Sequence, residues 1–131
     1  MGKTKFAYEY EINASKKMLY PYLTTASGLS QWFADDVNID EDGYFNFIWD
    51  DEDHLAKLVS HRTNSYAKFV YLLPDKSEGE DPDWLEFKID MNELTETSFI
   101  KVQEYSDFDD KEEQAELWEG LLQALKVIVG G

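Results

Sequence analysis

The chain closes on "DDKEEQAELWEGLLQALKVIVGG", residues 109 to 131, and this segment constrains the rest of the fold. Trp118, Leu121, Leu122, Leu125 and Val129 recur at helical spacing and make one apolar stripe. Asp109 or Asp110 can cap the start, Glu112 and Glu113 suit the positive N-terminal end, Lys126 suits the other end, and Gly130 ends the helix. About twenty residues make ~30 Å of helix, enough to cross a whole sheet. A stripe of that length needs an apolar surface just as long.

The preceding residues supply one. Residues 4 to 13 alternate, with Phe6, Tyr8 and Tyr10 on one face and Ala7, Glu9 and Glu11 on the other, as in a half-buried strand. Ser15 can cap a helix over "KKMLYPYLTT", which Pro21 should kink or shorten. Leu29, Trp32 and Phe33 then fall on one side of a second short helix. Asp42-Gly43 marks a tight hairpin turn, after which Phe45, Phe47 and Trp49 share a face. Strands are expected at residues 55 to 62, 65 to 73, 84 to 92 and 97 to 105. Their apolar faces are Ala67, Phe69, Tyr71 and Leu73; Leu85, Phe87, Ile89 and Met91; and Ile100 with Val102. The stretch "PDKSEGEDPD" reads as an exposed loop. Hairpins in succession imply an antiparallel sheet, so the fold class is α+β.

Residues 1 to 131 suit one domain, able to bury roughly two thirds of its unfolded surface. Twelve basic against 28 acidic residues leave a net charge of −16, which repels phosphate backbones and anionic headgroups. Nucleic acid is therefore not an expected partner. No segment approaches the ~18 apolar residues of a spanning helix, so membrane insertion is not expected either. Without cysteine there is no disulfide, thiolate nucleophile or cysteine zinc site. "MGKTKFAYEY" lacks the apolar run of a signal peptide, which makes a cytoplasmic address the expectation.

One strand, two short helices, a meander of strands and a long final helix is the order of the helix-grip fold. "LYPYLTTASGLSQWFADDV" resembles the signature of START-like proteins in the SRPBCC superfamily, and "EYSDFDD" with "LWEGLLQALK" resembles their C-terminal end. The resemblance covers essentially the whole chain and is nearest to small bacterial members of unassigned activity. A more distant similarity is to the domain that activates the ATPase of a heat-shock chaperone. The resemblance implies a curved antiparallel sheet wrapped around the last helix, with a cavity between them. Relatives bind lipids, sterols, polyketides or plant hormones, and a few are cyclases or subunits of hydroxylating enzymes. The fold chooses none of these, and the signature supplies no catalytic residue.

The candidate ligand-binding residues are Trp32 and Phe33 as a gate at the mouth, and Phe45, Phe47, Trp49, Phe69, Tyr71 and Phe87 on the sheet. Trp118 and Leu122 complete the set from the helix. Large rings leave irregular gaps and offer stacking surfaces to a flat or apolar ligand; the same rings can equally fill a core. By parity with Ile100 and Val102, Glu104 points to the concave side, where it can receive a ligand hydroxyl or amine, or pair with Arg62 at the rim. Gly120 sits in a helix that otherwise avoids glycine, which suggests close approach of a ring or ligand.

Other chemistry finds less support. His54 and His61, seven apart on a continuous strand, point to opposite faces and cannot share a metal without a bulge. "NIDEDG" begins like a calcium loop, but its twelfth position is Trp49 rather than glutamate, and a hairpin turn explains it. There is no GxSxG, glycine-rich phosphate loop or HExxH. No cofactor or metal is expected. On the opposite sheet face Tyr66, Trp84, Phe99 and Tyr105 alternate with Lys68, Glu86, Lys88 and Lys101, as either a partner or homodimer surface or plain cross-strand pairing. The leading expectation is a binding module for an apolar or amphipathic small molecule. A chaperone-regulating or other protein-interaction module is the second, and a cyclase-type enzyme the third.

Overall fold

The computed structural model describes residues 2–95, 97–108 and 110–130. Strand β1 (Thr4–Ile12) leads to helices α1 (Lys16–Thr24) and α2 (Ala26–Leu29). Strands β2 (Asp36–Ile39), β3 (Phe45–Trp49), β4 (Glu52–Arg62), β5 (Tyr66–Tyr71), β6 (Trp84–Asn92) and β7 (Thr97–Ser106) follow, and helix α3 (Lys111–Val129) closes the chain. The strands form one antiparallel seven-stranded sheet in the order β1-β7-β6-β5-β4-β3-β2. The first strand pairs with the last, so the α1–α2 segment crosses the open side of the sheet before β2 starts the far edge. This is the helix-grip arrangement.

Period-two alternation sets which face is buried. Ala67 and Phe69, Leu85, Phe87 and Ile89, and Ile100 and Val102 are buried as their parity requires. On α3 Trp118, Leu122 and Leu125 are buried while Leu117 stays half exposed, so the stripe meets the concave face of the sheet. Phe47, Phe69, Phe87 and Trp118 are among the largest fully buried side chains, each stabilising by about 1.5–3 kcal/mol. The α3 caps are as the sequence suggests: Asp110 accepts the Glu112 and Glu113 backbone N–H groups, and Gly130 takes the left-handed conformation at φ 78°. Asp109, the other cap candidate, lies outside the described residues.

Several expectations change. Strand β5 ends at Tyr71, which leaves Leu73 beyond the ladder and 49% exposed, and Met91 near the end of β6 is 41% exposed. Helix α1 runs through Pro21 to Thr24. Helix α2 stops at Leu29, and Trp32 and Phe33 are buried in the turns after it. A Cβ on Gly120 would meet nothing within 4 Å, so that glycine faces solvent and no ring packs against it. The glycine with a steric role is Gly28, whose Cβ would lie 2.3 Å from the Pro21 carbonyl oxygen; its bare backbone lets α2 pack on α1.

The parity of the histidines also reverses. The β4–β5 register shifts between Leu58 and Ser60, a bulge that places one extra residue in β4. His54 stands opposite Phe47 and His61 opposite Ala67, so both are on the concave face, at different ends of the strand. His61 pairs through Nδ1 with the Tyr20 hydroxyl at 3.2 Å. No group of three or more metal-capable side chains occurs among the described residues. In the Asp42-Gly43 turn, Asp40 accepts the backbone N–H groups of Asp42 and Tyr44, and Lys76 pairs with Asp40 and Asp42 at 3.2 and 2.5 Å. No helix among the described residues is long and apolar enough to cross a membrane.

Candidate functional site

The middle of α3, the turn at residues 31 to 35 and the near ends of strands β3 to β7 do not close on one another. They leave a cleft of about 1090 Å³. Small-molecule pockets typically span ~300–1,000 Å³, so this space accommodates one.

Rings make its walls. Trp32, Phe33, Trp49, Tyr71 and Trp118 line the cleft, with Leu117 and Leu121 from α3 and Leu73 from the loop after β5. These rings are fixed in place. The Trp32 indole N–H donates to the Tyr22 carbonyl at 2.8 Å, and that of Trp49 donates to the Phe33 carbonyl at 3.0 Å. Phe33 is wedged among Phe47, Trp49, Phe87 and Trp118, with ring centroids 5.1 to 5.9 Å away. Such offset and edge contacts add about 0.5–1.5 kcal/mol per pair beyond area burial. Trp32 and Phe33 are thus firmly anchored.

Polar side chains border the cleft as well, among them Glu104, Tyr71 and His54. Glu104 on β7 accepts the Trp118 indole N–H at 3.1 Å and the Gln114 side-chain amide, both from α3. These partners, rather than Arg62, hold it at the cleft. The Tyr71 hydroxyl has no hydrogen-bond partner among the described residues. Burial first, then the negative charges of Glu104 and Asp83, push its phenol well above the ordinary tyrosine value, so it remains a proton donor. His54 directs Nδ1 at the Phe47 and Glu52 carbonyls at 3.3 and 3.1 Å. Carbonyls only accept, so that nitrogen carries a proton and donates.

Of the eleven residues singled out from sequence, Trp32, Phe33, Trp49, Tyr71, Glu104 and Trp118 come together around this cleft. Phe45, Phe47, Phe69, Phe87 and Leu122 lie behind them in the packed core. Sequence reasoning did not assign Leu117, His54, Asp35, Asp50, Asp53 or Asp83 to the lining. Leu117 precedes the buried Trp118 and was hidden by the strength of the main stripe. Asp50 and Asp51 form the β3–β4 turn with φ 52° and 64°; consecutive aspartates after an alternating strand were the available sign of that turn.

No curated protein matches the sequence. Among solved structures, the Bacteroides fragilis protein BfR322 is 31% identical, with a TM-score of 0.62 over 98% of this chain and 92% of its own. The solution structure of the Aha1 dimer from Colwellia psychrerythraea superposes with a TM-score of 0.74 at 17% identity, covering 96% of each chain. Protein MLL2253 from Mesorhizobium loti gives 0.74 at 12% identity, over 97% of each. The last two likenesses, at such identities, speak to the fold alone. The model of the START-like superfamily domain matches residues 1–131, and the chain belongs to that superfamily.

Proposed function

We propose that this protein is a binding module that holds an apolar or amphipathic small molecule in the cleft between α3 and the sheet. The observation that carries the reading is the cleft itself: about 1090 Å³ walled by Trp32, Phe33, Trp49, Tyr71 and Trp118. Burying a ligand there gains roughly 25 cal/mol per Å² of apolar surface, while the Tyr71 hydroxyl and Glu104 orient its polar end. The core rings Phe47, Phe69 and Phe87 support the wall without touching the ligand. Calorimetric titration of apolar small molecules tests this. Leu121→Arg, which puts a charge in the cleft, should abolish binding, and Val127→Arg, on an exposed part of the same helix, should leave it intact. Equal binding by both variants would remove the cleft as the site.

A second reading, a protein-interaction module, draws on the convex face. Trp84 stacks on Tyr105 with centroids 6.1 Å apart, and Lys5 and Lys68 lie over the Trp84 ring at 5.6 and 4.4 Å. The Colwellia Aha1 structure is a dimer. Sedimentation analysis showing a dimer that Trp84→Ala dissociates would favour it.

A further inference from the structure

The chemistry of the lining goes beyond its apolarity. Asp35, Asp50, Asp53, Asp83 and Glu104 all border the cleft, and among the described residues no lysine or arginine does. Lys3 bonds to Asp83 at 2.8 Å, the one ion pair made by a lining acid among the described residues. Asp35 receives the Asp50 backbone N–H at 2.9 Å, and Asp53 receives the Asn46 amide at 3.0 Å. A neutral hydrogen bond leaves the charge of a carboxylate in place. Lys3, Lys5 and Lys68 stand over the rings of Tyr105 and Trp84, beside one part of the lining; around the rest an anionic ligand head would meet carboxylates as the only charged groups, in a protein of net charge −16. A cationic head would meet the carboxylates of Asp35, Asp50, Asp53 and Glu104 and the half-buried ring of Trp49.

Resting on the binding-module reading above, we infer that the cleft selects cationic amphiphiles: an organic ammonium head beside an apolar body. The apolar body lies against Leu117, Leu121 and the rings. The ammonium sits toward Glu104 and Asp50. A fatty acid or other anionic lipid is excluded by charge, although its tail would fit.

Titration with decyltrimethylammonium, decanol and decanoate tests the inference, because the three share a tail and differ in head charge. The expected order is ammonium tightest, by about tenfold over decanol, with decanoate weakest. The largest amide and indole shifts should fall at Trp32, Trp49 and Trp118. Asp50→Asn, conservative at a left-handed position, and Glu104→Gln should each weaken the ammonium several-fold and weaken decanol by distinctly less. Decanol or decanoate binding as tightly as the ammonium would overturn the charge selection while leaving the binding module standing. Ammonium shifts scattered over the surface and insensitive to both variants would also overturn it, as diffuse attraction to an acidic protein. No binding of any of the three would remove both readings.

Discussion

Glu104 on the last strand accepts the indole N–H of Trp118 on the last helix at 3.1 Å, and so ties α3 to the sheet at the edge of the cleft. The bond joins a carboxylate to a buried ring that is itself stacked 5.8 Å from Phe33. Together with the Gln114 amide, which donates to the same carboxylate, it fixes α3 to the sheet beside the cleft.

Replacing that carboxylate tests the tie. In Glu104→Leu the Trp118 indole N–H loses its acceptor in a buried position, which should cost about 1–3 kcal/mol of unfolding free energy. Glu104→Gln keeps an acceptor oxygen and should cost distinctly less. Urea unfolding of the two variants measures the difference, and equal losses would mean the bond does not hold the helix.

The two helical glycines should respond with opposite sign. Gly28→Ala forces a Cβ to within 2.3 Å of the Pro21 carbonyl oxygen, so α2 must separate from α1 and the protein should lose stability. Gly120→Ala meets nothing and removes an unfavourable residue from an exposed helix interior, for a gain of about 0.5–1 kcal/mol. Thermal melts should show Tm falling in the first and rising in the second.

The Asp40–Lys76–Asp42 cluster should give a defined pH window. Hydrogen bonds to Asp42 and then Asp40 raise Lys76 from 10.5 to about 12, so its contribution is whole below 10.5 and is lost as pH climbs through about 12. Asp40 is partly desolvated, which acts upward. The Tyr44 backbone N–H, Lys76 and the Asp42 backbone N–H outweigh this and lower it from 3.8. Its contribution is present above 3.8 and disappears as pH falls through the lowered folded value. The stability difference between wild type and Lys76→Met should be flat between these limits and shrink outside both.

Tyr71 should weaken the protein in alkali. Its phenol is raised in the folded state by burial and by Glu104 and Asp83, whereas the unfolded chain ionises near the ordinary 10.0. The stabilisation is complete below 10.0 and declines as pH rises above it. Tyr71→Phe removes this decline, so its stability relative to wild type should improve with rising pH; parallel curves would contradict the desolvation of its phenol.

Much of the fold was legible because period two and period 3.6 report directly on burial. Leu85, Phe87 and Ile89 on β6, Ile100 and Val102 on β7, and Trp118, Leu122 and Leu125 on α3 are buried as their spacing implies. What was hidden depended on events without a local signature. The bulge at Val59 inserts a single residue and so puts His61 on the face that simple alternation denies it. Gly120 looked like a contact point, yet its position on the helix turns it to solvent. For the cleft, sequence pooled all inward-facing rings. Only the three-dimensional offset of α3 separates Trp118 and Tyr71, which border the space, from Phe47 and Phe69, which fill the core.

The central claim is that the cleft between α3 and the sheet holds a small molecule. Native mass spectrometry after incubation with a total cell extract of small molecules tests it most directly, with Leu121→Arg alongside. The account predicts an added mass on the wild type that disappears on denaturation and is missing from Leu121→Arg. A bare wild-type mass, or an adduct carried equally by the variant, would contradict it.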